Sequence, residues 1–246
     1  MHLELLQWSI LAVAAVVIGV SKTGIPGLGI LAVTLVALVL PARQSTGMIL
    51  PMLIAGDVCA VGYYRLHASW KYILRLAPWA VVGVSIGTVA LGRLNDVQIR
   101  PLIGGIVLAI VIGNFWLTYL PGVRGRLTQS YALAVGVGIL AGFTTMVSNA
   151  AGPIMVIYLL AMGLPKNNFL GTSAWYFFLL NLFKVPFSAG LGLITWPSLA
   201  LNAILLPGIL LGAWMGVRFA KRMPEKTFAI VAQVLAAAAA AKLLFG

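Results

Sequence analysis

Apolar runs divide the chain into ten segments, at about 4–20, 28–40, 46–64, 72–91, 101–119, 129–145, 153–163, 169–187, 197–217 and 227–245. Most are apolar on every side rather than along one stripe, as in helices surrounded by lipid or by other helices. A helix needs about 20 apolar residues to cross a bilayer. The second and seventh segments are too short for that, and only a few small or polar residues separate each from the segment before it. The sequence lacks the alternating strands of about 10 residues that mark a membrane barrel. The pattern predicts an all-α polytopic membrane protein.

The segments also repeat. Leu40-Pro41 matches Leu164-Pro165, Gly47 matches Gly171 and Asp57 falls opposite Asn181, all at a shift of 124. Further on, Pro78, Gly83, Gly87 and Arg93 match Pro207, Gly212, Gly216 and Arg222 at a shift of 129. Residues around 188–197 absorb the difference. The matches predict an N-terminal transmembrane repeat at 1–120, a polar linker at 121–128 and a C-terminal repeat at 129–246. Each repeat is expected to hold a short broken-helix (re-entrant) pair and then three full transmembrane helices. An odd number of crossings per half inverts the second relative to the first. That is the plan of secondary transporters, in which matched interruptions point to the binding site.

The interruptions are GVSKTGIPGLG at 19–29 and TTMVSNAAGP at 144–153. Irregular backbone at membrane depth survives only where protein buries it or water reaches it. Each restarting helix offers N–H groups without intrahelical partners, at the positive end of its dipole. Such a terminus suits an anion. The candidate substrate-binding residues are Lys22, Thr23, Gly24, Gly27, Thr144, Ser148, Asn149 and Gly152. Lys22 brings a full positive charge, the hydroxyls and Asn149 bring side-chain donors, and the glycines leave the backbone approachable. Duller readings stand beside this one. The glycines could serve close helix packing, Lys22 could snorkel to an interface, and Thr144, Thr145 and Ser148 could bond back to helix carbonyls. Two symmetric breaks, rich in donors and free of carboxylates, favour an oxyanion held near the midplane.

Ser21, Asp57, Asn181 and Lys184 are the supporting or coupling candidates. Asp57 lies midway along an apolar segment, where an unpaired carboxylate is costly. It is either a structural partner for a buried cation, Lys22 or Lys184, or a proton relay. Asn181 at the matching position, with Lys184 one turn on, suggests a polar layer near the core of each half.

Composition narrows the class further. Apolar residues make up 62% and charged residues 8%, against about a quarter charged in soluble domains. A net charge of +12 would suit nucleic acid, but the basic residues sit in short loops. Arg65, Lys71, Arg75, Arg124, Arg126, Lys166, Arg218, Lys221, Arg222 and Lys226 fall on one side, against Arg43, Arg93, Arg100 and Lys242 on the other. The positive-inside bias makes the first side cytoplasmic and both termini periplasmic, with lipid rather than nucleic acid as the large partner. The single cysteine, Cys59, excludes an intrachain disulfide framework. His2 and His67 stand apart without acids or thiols nearby, so no metal site is expected. The phosphate loop GxxxxGK[ST] is missing, and no cofactor is expected. Ser21 and Lys22 are neighbours on a helix and do not face each other, so no catalytic residue is assigned. The first twenty residues lack a basic start and are read as a retained helix rather than a cleaved signal.

With these features in place, the sequence resembles the TauE/SafE family of sulfite and organosulfonate exporters. The resemblance rests on GVSKTGIPGLGILAV at 19–33, LPARQSTGMILPMLIAGD at 40–57 and LAGFTTMVSNAAGPIMVIYLLAMGLPKNNFLGTSAWYFFLLNLFKVP at 140–186. It implies a bacterial inner-membrane permease for a small sulfur-containing anion such as sulfite or sulfoacetate, working outward by alternating access. At a shift of 124 Met146 falls opposite Lys22, so the site need not be symmetric. A cytoplasm negative inside favours outward movement of one anionic charge by about 2.3 kcal/mol per 100 mV. The competing readings are proton-coupled uptake of a sulfur oxyanion through Asp57 and, more remotely, a membrane-embedded enzyme or scaffold. The substrate within the class, and assembly into a homo-oligomer, stay open at this stage.

Overall fold

The computed structural model describes residues 4–40, 42–93 and 130–245. The span expected at 101–119 and the linker at 121–128 lie outside them. The described residues form helices and no strand. In order these are α1 (Leu5–Thr23), α2 (Gly29–Val39), α3 (Ala42–Tyr64), a 3-10 turn (Arg65–His67), α4 (Trp70–Arg93), α5 (Tyr131–Ser148), α6 (Gly152–Ala161), α7 (Lys166–Gly190), α8 (Trp196–Arg222) and α9 (Glu225–Phe245).

Among the described residues five stretches are long and apolar enough to cross a membrane: Leu5–Thr23, Gln44–His67, Trp70–Arg93, Tyr131–Ser148 and Trp196–Arg222. Large apolar side chains such as Leu38, Leu74, Ile204 and Ile230 face outward, as a lipid-solvated surface requires. α7 is also long, at 25 residues, but its core-facing side carries Asn181 and Lys184, both buried.

Both interruptions are present, and each pair is uneven. α1 and α5 have 19 and 18 residues, whereas α2 and α6 have 11 and 10. At 1.5 Å per residue a helix of about 11 residues covers roughly half of a 30 Å hydrocarbon core. The polar ends Ser21-Lys22-Thr23 and Thr144-Thr145 belong to the ends of full-length helices, not to the breaks: the glycines before them, Gly19 and Gly142, lie inside α1 and α5 and pack on a neighbouring backbone. The first break begins at Gly24 and contains Pro26, which has no N–H to donate, and Gly27 at φ +98°. The second turns on Asn149, which caps α5 in the left-handed region at φ 54°. Asn tolerates that conformation better than most residues.

Glycine sets how the long helices meet. α1 packs on α8, α4 on α5, and α3 on α7. In the first pair a Cβ on Gly19 would lie 2.2 Å from the Ile209 carbonyl oxygen, and one on Gly212 would lie 2.0 Å from that of Val16. In the second, a Cβ on Gly142 would lie 2.1 Å from the Ala80 carbonyl oxygen, and one on Gly83 would lie 2.1 Å from that of Ile139. These are backbone-on-backbone contacts that no side chain could share. One apolar core gathers Leu11, Ile18, Val36, Met48 and Ile209 around α1. The other gathers Leu76, Val84, Ile154, Phe169 and Phe228 around α4 to α7 and α9.

Basic residues assigned to one side by the loop pattern meet in space. The Lys166 ammonium donates to the Ala220 and Met223 carbonyls at 2.7 and 2.6 Å, satisfying the acceptors left open at the end of α8. Lys221 sits over the Tyr63 ring at 5.2 Å, and both line a hollow with His67 and Lys166.

Candidate functional site

The two breaks face one cleft. Its walls include Ser21 and Lys22 from the end of α1, Gly27 from the first break, and Asn149, Gly152 and Pro153 from the second. α3 adds Leu53 and Asp57, and α7 adds Ser173, Phe177 and Asn181. The space, including its open mouth, is about 740 Å³. The first turns of α2 and α6 both border it, through Gly29 and Ile30 and through Gly152 and Pro153. The N–H groups of Gly29, Ile30 and Gly152 have no intrahelical acceptor, whereas Pro153 has no N–H and the Leu31 N–H donates to the Leu28 carbonyl at 3.0 Å. The Gly152 Cβ direction is empty, with no atom within 4 Å.

A chain of polar contacts runs behind this wall. The Lys22 ammonium is 2.7 Å from Asp57 Oδ1, and that carboxylate is fully buried while Lys22 keeps 13% exposure. Lys22 is the sole polar partner of Oδ1 among the described residues. The other oxygen, Oδ2, accepts from Asn181 Nδ2 at 2.7 Å. Asn181 Oδ1 then accepts from Lys184 at 3.4 Å, and Lys184 also donates to Asn149 Oδ1 at 2.7 Å and Thr145 Oγ1 at 3.2 Å. Asn149 Nδ2 donates to the Thr46 carbonyl at 3.2 Å. The helix that carries Asn181 packs on the helix that carries Asp57, so the polar layer is shared by α3 and α7. Burying a charge is tolerable only when it is paired or fully hydrogen-bonded. Here Asp57 has two donors and Lys184 three acceptors.

Lys22 lies in the last turn of α1, where a helix C-terminus favours positive charge. Its stem is seated by Gly56, where a Cβ would come within 3.0 Å of Lys22 Cγ. Its ammonium lies 4.5 Å from the centre of the Phe177 ring. Asp57, Phe177 and the open cleft thus surround one cation on three sides.

Other candidate residues lie elsewhere. Thr23 is fully buried and donates to the Gly19 and Ala213 carbonyls at 3.0 and 2.8 Å, facing α8. Its own carbonyl accepts from the Tyr64 hydroxyl at 2.9 Å. Gly24 packs against Gly216, with a Cβ there meeting the Gly216 oxygen at 2.2 Å. Thr144 bonds back to the Leu140 and Ala141 carbonyls, and Ser148 bonds back to that of Thr144. Lys184, 1% exposed, supports the wall through Asn149 and is not itself part of it.

Ser173, Phe177 and Gly56 were not anticipated, and Thr145 was read only as a back-bonding hydroxyl. A signal for the first two was present. Ser173, Phe177, Asn181 and Lys184 are spaced four, four and three apart, which puts them on one face of a helix. Among the described residues no group of three or more His, Cys, Asp or Glu side chains could hold a metal.

A family model for the sulfite exporters TauE/SafE matches residues 11–243. The chain belongs to the TauE/SafE family. No curated protein and no solved structure matches it. TauE/SafE membership implies transport of sulfite or a related sulfur anion across a membrane, and the helices of this TauE/SafE chain are those of a multi-pass membrane protein. The family is one of transporters rather than enzymes. The TauE/SafE match spans both interruptions and every cleft residue named above.

Proposed function

We propose that the cleft between the two breaks binds a small sulfur oxyanion and that the protein exports it by alternating access. The observation that carries the reading is that Lys22 and Asn149, beside breaks far apart in sequence, line one hollow. Around it stand an ammonium, a side-chain amide and the starts of two short helices. An oxyanion needs such donors from several directions and tolerates no competing bare carboxylate. Asp57 is nearby but is held by Lys22 and Asn181. Lys22, Asn149, Gly27 and Gly152 are the contact candidates; Asp57, Asn181 and Lys184 support them.

Alternating access rests on the inverted-repeat reading, which the packing supports. Exchanging the halves turns the α1–α8 contact into the α5–α4 contact. Gly19 facing Ile209 corresponds to Gly142 facing Ala80, and Gly212 facing Val16 to Gly83 facing Ile139. These contacts set a shift of 123 for α1 and α5, and 129 for α4 and α8. In that register Thr145, not Met146, is the counterpart of Lys22, and Thr145 is the residue that accepts from Lys184.

Outward transport follows the membrane potential without coupling. The reading includes a bacterial inner membrane, with the Lys166–Lys221 end in the cytoplasm and the termini in the periplasm. Proton-coupled uptake would require Asp57 to release Lys22 each cycle. Purified protein in liposomes decides between them. Sulfite efflux driven by an inside-negative potential alone supports export, whereas flux that needs a pH gradient and is lost in Asp57→Asn supports uptake. Absence of any anion flux rejects both.

A further inference from the structure

Resting on the anion-site reading above, we infer that Asp57 sets the charge of the guest: the cleft takes a monovalent sulfur oxyanion in preference to a divalent one.

The charge count starts from hydrogen-bond direction. The Thr46 backbone carbonyl can only accept, so Asn149 must turn its NH₂ toward it and present Oδ1 to Lys184. Asp57 Oδ2 accepts from Asn181 Nδ2, which turns Asn181 Oδ1 toward Lys184. Lys184 therefore meets two fixed acceptors and the Thr145 hydroxyl oxygen. That set suits the three donors of an ammonium, and Lys184 is counted in that form. Asp57, with Lys22 on Oδ1 and Asn181 on Oδ2, is counted as a carboxylate.

Two ammoniums, Lys22 and Lys184, thus stand against one carboxylate, Asp57. Among the described residues Lys22 and Asp57 are the charged side chains that line the cleft, with Lys184 directly behind it. The site holds one net positive charge. In a low-dielectric surrounding, uncompensated charge of either sign is penalised. A monovalent guest brings the total to zero, while a divalent guest leaves one negative charge inside the bilayer. Hydrogensulfite or a simple sulfonate fits this better than thiosulfate or sulfoacetate. If Asp57 becomes Asn, the site holds two positive charges and the balance moves to divalent guests. If Lys22 is neutralised together with Asp57, Lys184 alone remains and the monovalent preference returns.

The test uses two probes whose charge does not change near neutrality, methanesulfonate and sulfate, titrated against purified full-length protein at matched ionic strength. Wild type is expected to bind methanesulfonate at least tenfold more tightly than sulfate. Asp57→Asn should move that ratio at least tenfold toward sulfate. The double variant Lys22→Gln/Asp57→Asn, weaker overall, should keep the wild-type preference. Equal or tighter sulfate binding by wild type overturns the inference. So does a folded Asp57→Asn protein with an unchanged ratio, or a double variant that favours sulfate. Should Asp57→Asn fail to fold, the wild-type ratio and the double variant decide. Binding of neither probe by wild type overturns the anion site itself, and this inference with it.

Discussion

At the scale of single residues, the polar layer is a chain in which each member depends on the next. Asn181 is the link between the Asp57 carboxylate and the Lys184 ammonium. Replacing it with Leu removes one donor and one acceptor at once. We expect Asn181→Leu to cost about 1–3 kcal/mol, the penalty for leaving buried polar groups unsatisfied, read as a lower thermal midpoint in detergent. The loss should exceed that of Ser148→Ala, whose hydroxyl bonds only to its own helix; equal losses would argue that the layer is not a connected network. Gly27 and Gly152 separate strain from space. Gly27→Ala places a side chain at φ +98° with Leu235 Cβ 2.9 Å away, whereas Gly152→Ala meets nothing within 4 Å. The first variant should destabilise the fold. The second should leave the midpoint near wild type and weaken anion binding, measured by the same titration.

At the scale of elements, the long helices are joined by glycine contacts that tolerate no added atom. Gly212→Val and Gly83→Val should each destabilise by about 1–3 kcal/mol or more, because overpacking forces the backbones apart. Gly136, exposed on α5 with open space beyond it, is the control. Gly136→Ala should be neutral or stabilise by up to about 1 kcal/mol, since Ala suits a helix interior better than Gly. Similar losses at all three positions would refute the packing role. At this scale, much was legible in sequence. The positions of the breaks followed from Gly24, Pro26, Gly27 and Pro153, because these residues cannot continue a helix cheaply. The ends of α1 and α5 did not, because Lys22, Thr145 and Ser148 are polar without being helix breakers. Hydropathy stopped short of residues that the helices retain.

At the scale of the molecule, one end gathers Lys166, Lys221 and His67, and the exposed Trp196 begins α8 at its far end from Arg222. Topology can be checked on a Cys59→Ala background. Cysteine at position 67 should react with an impermeant maleimide only from the cytoplasmic side, and cysteine at position 196 only from the periplasmic side. Reversed labelling would invert the assignment and, with it, the reading of outward transport.

By itself the sequence determined the all-helical membrane class, the two interruptions and the side-chain chemistry of the site, because lipid imposes runs of apolar residues and any departure from them stands out. It also listed the charges. What only the tertiary structure decided is which of those charges meet. Lys22 and Lys184 were equal candidates for Asp57, and helix packing chose Lys22 at 2.7 Å and gave Lys184 neutral oxygens instead. Thr23 and Gly24, beside Lys22 in the chain, were turned toward α8, because a helix spreads consecutive residues around its axis. Ion pairing depends on a few ångströms across helices, and spacing along one chain carries no record of that distance.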